Sequence, residues 1–294
     1  MATVRLFWRR FEVSAASFRV VAATNAFALF LIMVTGATVR LTASGLGCKH
    51  WPGCTPGDPF PQNGIHSYIE FGNRIVAGTV VVVTLVAWLA ARFAPSVSQR
   101  VRRLALFTFL GTFVQAPLGA ITVYYGLNPW LVLSHFLVSI VVLATAVLIV
   151  VEAWDAPVEA VPVNLRRLAL LVGAAAAVLI VTGTFATAAG AHPGSAGVAR
   201  LGSFQTAVYI HVRAVAVFGV CLAALVVWLV RRRGVFGFES VVLAVLGAQM
   251  AVGEIQYRAD PQWWVVLVHV ALAAALWAAT VALVSSLRAP SRIP

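Results

Sequence analysis

Acidic residues are scarce in this chain, and charge of either sign is low. Asp and Glu together number nine among 294 residues, and all charged residues make up only 10%. Hydrophobic residues make up 61%, and the mean hydropathy is +0.94. A soluble domain carries about a quarter of its residues as charges, which cover its surface. The composition therefore excludes a soluble globular protein.

The sequence also lacks the alternation of polar and apolar residues that marks strands. It has instead apolar runs of roughly 20 residues, the length that crosses the hydrocarbon core of a bilayer. Backbone in lipid satisfies its hydrogen bonds within a helix. We therefore predict an all-α, polytopic protein of the lipid bilayer with eight transmembrane helices, near residues 20–40, 66–91, 104–125, 130–151, 167–189, 205–230, 236–256 and 263–287.

Cysteine is rare, and two of the three cysteines share one short loop. Cys48 and Cys54 lie in GCKHWPGC, between the first two predicted helices. If this loop faces an oxidising compartment, a disulfide is expected, and two free thiols are the alternative. Cys221 lies in the middle of the sixth helix, where a small buried apolar residue is expected.

Basic residues exceed acidic ones, and the net charge is +12. They cluster in the loops, so we expect no nucleic-acid partner. With the N-terminus in the cytoplasm, fifteen of the 21 basic residues lie on the inner side and six on the outer side. Cytoplasmic loops of membrane proteins are enriched in Lys and Arg. The bias predicts that both termini are cytoplasmic.

An internal repeat relates the two halves of the chain. QAPLGAITVYYGLNPWLVLSH, at 115–135, aligns without a gap with QMAVGEIQYRADPQWWVVLVH, at 249–269. The alignment places His135 opposite His269. A shared pattern over 21 residues indicates duplicated structural units rather than chance similarity.

The repeat extends to the first two helices of each half. TGATVRLTASG near the end of the first helix resembles TGTFATAAGAH near the end of the fifth. Between these anchors, Asn73 falls opposite His211. We predict two four-helix bundles, 1–155 and 160–294, that begin on the same side of the membrane and form a parallel repeat.

Three histidines lie just inside the outer ends of predicted helices: His135, His211 and His269. Ionisable residues at such depth are costly and mark functional sites, although a lone histidine near a helix end is more often a packing residue. His211 and His269 lie on the second and fourth helices of one half. Two imidazoles on facing helices can hold a flat haem from both faces. Zinc is disfavoured because no carboxylate or thiolate lies nearby in sequence.

The first half pairs His135 with Asn73, which is a poor haem ligand. One fixed cofactor and one exchangeable substrate would produce this asymmetry, and so would a decayed site. His66, Glu70 and Asn73 share one helix face. Glu70 is either the carboxylate beside a bound planar ligand, moving protons or orienting water, or part of a water-exposed helix mouth. Arg74 either pairs with ligand carboxylates or extends to the interface.

Several motifs together resemble the haem A synthase family of terminal-oxidase assembly. They are TGATVRLTASGLGCKHWPGC, IEFGNR, SH at 134–135, RLGSFQTAVYIH and VLVH, and the resemblance covers nearly the whole chain. It implies an oxidoreductase that converts the ring methyl group of haem O to a formyl group. The conversion runs through a hydroxymethyl intermediate, takes its oxygen from water, and supplies haem A to cytochrome c oxidase.

The resemblance also implies roles for particular residues. His211 and His269 would hold the cofactor haem b, Glu70 would act in catalysis, and Cys48 and Cys54 would form a disulfide. His135 and a second histidine on the second helix would bind the substrate haem, and we expect Asn73 and Arg74 of this chain to contact it as well. Many family members have histidine where this chain has Asn73. We therefore expect one-sided ligation of the substrate iron by His135, with ligation by His66 as the alternative.

The implied setting is a bacterial cell membrane. The implied partners are haem O, haem O synthase, cytochrome c oxidase assembly factors and further copies of the chain. Two other functional classes stay open. A membrane electron carrier that reduces quinone would hold two permanent b haems. A transporter would have broken helices near the middle of the membrane.

Overall fold

The computed structural model describes residues 12–48, 50–58, 60–62, 64–155, 158–259 and 262–288, and these are mostly helical. Eight helices among them are long and apolar enough to cross a membrane. The predicted all-α, eight-helix fold of a multi-pass membrane protein is confirmed. The helices are α1 (Ala15–Leu41), α2 (Gly64–Phe93), α3 (Gln99–Tyr124), α4 (Pro129–Ala153), α5 (Val163–Ala189), α6 (Phe204–Arg233), α7 (Glu239–Arg258) and α8 (Trp263–Ser286).

Most helices extend beyond the apolar runs that predicted them, because hydropathy detects only the segment of hydrocarbon length. α1 and α3 each start five residues early, where the serine hydroxyls of Ser14 and Ser98 accept hydrogen bonds from first-turn N–H groups. Such caps satisfy N–H groups that have no partner within the helix. α6 ends at Arg233, because the following Gly234 has a φ of 77° and breaks the helix. α7 begins at Glu239, three residues later than the sequence predicts.

The two bundles are packed differently. In the first bundle, α1 to α4 form a closed ring of neighbouring pairs, so α2 and α4 are diagonal. In the second bundle, α5 packs on α6 and α8, and α8 packs on α7. Among the described residues, the backbones of α6 and α7 hardly approach each other. Helices α1, α4, α5 and α8 join the bundles to each other.

Buried hydrophobic residues concentrate away from the loop that contains Cys48 and Cys54. We call the side of the molecule with this loop the disulfide end, and the other side the opposite end. One cluster around Phe18 and Ile149 fills the opposite end of the first bundle, and a larger cluster around Phe218 fills the second. A third cluster lies between the bundles. The intramembrane histidines belong to none of them.

Polar contacts also tie the bundles together at the disulfide end. Arg40 of α1 donates from Nε to the carbonyl oxygen of His192 at 3.0 Å, and from Nη2 to that of Thr187 at 2.9 Å. The Gly45 N–H donates to the Gly194 carbonyl oxygen at 2.9 Å. The guanidinium of Arg40 is therefore committed to the inter-bundle contact.

The opposite end contains a short parallel strand pair that the sequence did not predict. β1 (Glu159–Ala160) pairs with β2 (Leu287–Arg288) and joins the inter-bundle connection to the end of α8. Beside it, Arg233 pairs with Glu159 and, at 2.8 Å, with Glu239. Residues 1–11 and 289–294, which contain the termini of the orientation prediction, lie outside the described residues.

Removal of the buried carboxylate of Glu239 should destabilise the fold. Glu239 is fully buried and also accepts the Gly237 N–H at 2.9 Å. In Glu239→Ala, this N–H loses its partner while Arg233 keeps Glu159. We expect the free energy of unfolding to fall by about 2 kcal/mol, measured by reversible unfolding in mixed micelles. Glu254→Ala, which removes an exposed pair with Arg258, is the control and should cost under about 1 kcal/mol. Equal losses of unfolding free energy in the two variants would contradict a stabilising role for the buried Glu239 carboxylate.

Candidate functional site

His211 on α6 and His269 on α8 lie at matching depth near the disulfide end of the second bundle. Each is about two helical turns inside the start of its helix. Both side chains are half-buried. The structure thus places at matching depth in one bundle the two histidines that the sequence paired.

A glycine on the neighbouring helix makes room for each ring. A Cβ atom at Gly183 of α5 would lie 2.9 Å from Cε1 of His211. A Cβ atom at Gly253 of α7 would lie 3.1 Å from Cε1 of His269. Both distances are below ordinary van der Waals contact, so glycine allows the ring and the facing backbone to approach this closely.

Thr182, next to Gly183, fixes the orientation of the His211 ring. Its hydroxyl donates to the Leu179 carbonyl oxygen at 3.0 Å and lies 3.1 Å from Nδ1 of His211. In the tautomer with the ring proton on Nδ1, the hydroxyl proton goes to the carbonyl and Oγ1 accepts a hydrogen bond from Nδ1–H. Nε2 then carries the lone pair, which is the tautomer that binds metal through Nε2.

The first bundle repeats this construction with one change. Thr35 donates to Oδ1 of Asn73 at 2.8 Å, and a Cβ atom at Gly36 would lie 4.0 Å from the same oxygen. Across the bundle, a Cβ atom at Gly119 would lie 3.6 Å from Cε1 of His135. The threonine, both glycines and one histidine recur, and Asn73 replaces the other histidine.

Buried polar atoms without partners mark both bundles. Within the described ranges, Nδ1 of His135 and Nδ1 of His269 have no hydrogen-bond partner, and neither do Oε1 of Gln115 and Oε1 of Gln249. Buried unpaired groups are uncommon and call for a ligand, an ion or water. They lie on α3, α4, α7 and α8, near the disulfide end.

The donor set fits a haem better than a bare metal ion. Nowhere in the part of the chain that the structure describes do three or more His, Cys, Asp or Glu residues form a metal-binding group. A tetrahedral zinc site needs such a group. A haem supplies four nitrogen ligands itself and needs only one or two axial side chains. The oriented lone pair of His211 and the unpaired nitrogen of His269 meet that need.

The polar face of α2 points toward α1 and the first loop. Nδ1 of His66 lies 2.9 Å from the Ser44 hydroxyl, and Oε2 of Glu70 accepts the Cys48 N–H at 2.7 Å. Of these three residues, only Asn73 lies opposite a glycine, Gly36, in the way that His211 lies opposite Gly183. His66, Glu70 and Asn73 therefore share a helix face but have separate surroundings.

Glu70 and Arg74 together bind the loop that contains the disulfide. The Cys48–Cys54 bond is formed, which confirms that prediction. Arg74 pairs with Oε1 of Glu70 at 2.6 Å and donates to the carbonyl oxygens of His50 and Gly53 at 2.6 and 2.7 Å. The predicted roles of Glu70 in catalysis and of Arg74 in substrate binding stay predictions.

Sequence reasoning missed the supporting residues. Thr182, Gly183 and Gly253 were not predicted as part of the site, although the paired TG motifs and the aligned glycines were visible in the repeat. The repeat indicates the topology and pairs the histidines. The repeat also indicates that each imidazole has a glycine opposite it.

The fold and the positions of the histidines define a helical, multi-pass membrane protein with intramembrane histidines in both bundles and a disulfide-closed loop on the first bundle. The family model described as cytochrome oxidase assembly protein, COX15-CtaA, matches residues 59–281. The chain belongs to this family.

Individual relatives share about a third of their residues with this chain over the aligned segments. A heme A synthase of Bacillus pumilus is 30% identical over 141 residues, which cover 47% of this chain and 45% of that protein. A heme A synthase of Bacillus licheniformis is 31% identical over 132 residues, covering 44% and 43%. The chain spans less than half the length of these curated relatives.

Replacement of Gly183 should disturb the second bundle far more than replacement of Gly36. In Gly183→Ala the new methyl group meets the His211 ring, whereas in Gly36→Ala it makes an ordinary contact with Asn73. We expect Gly183→Ala to weaken haemin binding at the His211–His269 pair at least about tenfold, since about 1.4 kcal/mol of overpacking strain suffices. Titration of the detergent-solubilised protein with haemin, followed by absorption, measures this. Equal affinities of the two variants would contradict the role of Gly183.

Proposed function

We propose that this protein is a haem A synthase that oxidises the ring methyl group of haem O to a formyl group. Membership of the cytochrome oxidase assembly family and the names of the Bacillus relatives support this. The observation that carries the proposal is the unequal repeat. Both bundles have the same threonine and glycine supports, but only the second has a histidine in both supported positions.

The chemistry requires one water and the removal of four electrons and four protons for each methyl group. The first two-electron oxidation and the addition of water give an alcohol. The second gives a hydrated aldehyde that loses water to leave the formyl group. The chain must therefore place a base and a water beside the methyl group and pass electrons to an oxidant outside the chain.

The second bundle would hold haem b. His211 and His269 would hold its iron, with Thr182 contacting the first ring and Gly183 and Gly253 making room for both. When bound, haem b supplies one-electron transfer, and axial ligation and burial set its potential. A pair of histidines fixed by their surroundings suits a cofactor that stays bound.

The first bundle would receive haem O. His135 is the proposed ligand to the substrate iron, and the loop side of α2 contributes Glu70 and Arg74. Oε1 of Glu70 accepts a hydrogen bond from Arg74, and Oε2 accepts one from the Cys48 N–H. A carboxylate oxygen has two acceptor sites. Glu70 can thus accept protons or orient water from a position that the disulfide loop holds.

The proposed setting follows from the same function. We place the chain in a bacterial cell membrane with both termini in the cytoplasm, in agreement with the distribution of basic residues. Haem O synthase would deliver the substrate, and cytochrome c oxidase assembly factors would take the product. Association with further copies of the chain is part of the same proposal.

The haem content of the purified protein separates the functional classes. We expect about one haem b per chain together with haem O and haem A, measured as pyridine haemochromes and by chromatography of extracted haems. His211→Ala and His269→Ala should each lose haem b, because one axial ligand is removed. Two haem b per chain, with neither haem O nor haem A, would instead indicate a quinone-reducing electron carrier. A protein without haem would indicate a transporter.

Replacement of Glu70 tests the proposed base. Glu70→Gln keeps the size of the side chain but removes its charge, so we expect haem A to fall at least about a hundredfold and haem O to accumulate, as for loss of a general base. The haem b content should stay unchanged. Unchanged haem A would falsify the catalytic role.

A purely structural role of Glu70 has a different signature. Glu70 and Arg74 hold the disulfide loop, so a loosened loop should expose Cys48 and Cys54 to reductant. Arg74→Lys is the matched variant, because it removes the contacts to the loop carbonyls and leaves Glu70 in place. If both variants speed reduction of the disulfide and lower haem A equally, Glu70 acts through the loop.

A further inference from the structure

The support around Asn73 has the residue types that hold a histidine in the second bundle. Thr182 and Gly183 face the His211 ring, and Thr182 also binds the Leu179 carbonyl oxygen. Ile32, Thr35 and Gly36 occupy the positions in α1 that correspond to Leu179, Thr182 and Gly183. Thr35 contacts the Ile32 carbonyl oxygen at 3.2 Å, as Thr182 contacts that of Leu179 at 3.0 Å. The site on α1 and α2 thus has the residue types that support an imidazole, but the side chain in it is the amide of Asn73.

The amide leaves part of the imidazole position free. Its Oδ1 accepts a hydrogen bond from the Thr35 hydroxyl at 2.8 Å, and the corresponding hydroxyl of Thr182 lies 3.1 Å from Nδ1 of His211. An asparagine side chain has no atom at the place of Nε2, the imidazole nitrogen that binds metal. The wider distance at Gly36, 4.0 Å against 2.9 Å at Gly183, agrees with this shorter group.

The amide is also oriented. Since Oδ1 is held by Thr35, Nδ2 is the other end of the amide and points away from that hydroxyl. Among the residues that the structure describes, Nδ2 has no hydrogen-bond partner. A free N–H group next to the vacated Nε2 position can donate to a small ligand there.

The diagonal helix carries the matching ligand. His135 on α4 is half-buried, Gly119 lies beside it, and its Nδ1 lacks a partner within the described ranges. His66, the other histidine of α2, is exposed and its Nδ1 faces the Ser44 hydroxyl. It lies two helical turns from Asn73, toward the loop.

We propose that the first bundle contains a small-ligand site between Asn73 and the iron of a haem held by His135. The site takes water or a neutral diatomic molecule, and Nδ2 of Asn73 donates a hydrogen bond to it. This inference rests on the proposed function, because it requires a haem in the first bundle. It adds that the Asn73 side of this haem is open to exogenous ligands and that a single substitution closes it.

Carbon monoxide tests the open site. The full chain, purified with its haems, is first analysed for haem content, then reduced with dithionite and titrated with carbon monoxide. We expect the haem of the first bundle to bind carbon monoxide and the haem between His211 and His269 to remain unreactive. His135→Ala should remove the reactive haem selectively, and His66→Ala should leave the reaction unchanged.

Substitutions at Asn73 separate ligation from hydrogen bonding. Asn73→His should fit the support of Thr35 and Gly36, retain both haems and abolish carbon monoxide binding. Asn73→Ala should keep the open site, shift the carbon monoxide stretching frequency and raise the dissociation rate roughly two- to tenfold through loss of one hydrogen bond. Thr35→Val, which frees the amide to rotate, should shift the frequency in the same direction.

The outcomes distinguish the two levels of the proposal. A first-bundle haem that is present but does not bind carbon monoxide in the unsubstituted chain would overturn the open site and leave the proposed function standing. If Asn73→Ala leaves the carbon monoxide stretching frequency and dissociation rate unaltered, the hydrogen bond from Asn73 is overturned. If no haem loads into the first bundle, the proposed function itself fails, and this is seen in the haem count before carbon monoxide is added.

Discussion

The close approach of a glycine to a side chain on a neighbouring helix is the contact on which the site depends. Small residues in membrane helices usually let two backbones pack together. Here Gly183 and Gly253 instead leave room for imidazole rings that would otherwise collide with the facing helix. The rings can then occupy the bundle interior near the disulfide end without forcing the helices apart.

This arrangement requires that other parts of the fold supply the stability. Histidine rings lie near the disulfide end, and the buried hydrophobic clusters lie at the opposite end and between the bundles. Arg40 and the Gly45–Gly194 hydrogen bond then link the bundles where apolar packing is thin. Buried polar groups in a membrane protein need such fixed partners, since lipid offers none.

Much of the architecture was predictable because the hydrophobicity of each continuous segment decides whether it forms a membrane helix. Eight apolar runs gave eight helices, and the gapless repeat paired His135 with His269. The ends of α1 and α3 were missed because Ser14 and Ser98 extend these helices beyond the hydrocarbon.

The surroundings of the site residues were less predictable. Periodicity shows which residues share a helix face, but it does not show which neighbouring element that face meets. For this reason the sequence grouped His66, Glu70 and Asn73 but did not reveal that two of them contact the loop. The hydroxyl of Thr182, by contrast, reaches His211 only because of the rotation of α5 about its axis.

The repeat offers a simple physical route from one symmetric scaffold to two different sites. Thr35 and Gly36 could support a ring as Thr182 and Gly183 do, so the packing around Asn73 need not change when the ring is lost. Under the proposed function, a haem iron would gain or lose a protein ligand with this one residue, whereas the helices would keep their positions. Retention of the proposed cofactor and release of the proposed substrate would then differ through coordination alone. The disulfide loop, held by Glu70 and Arg74, then adds a carboxylate to the first bundle only.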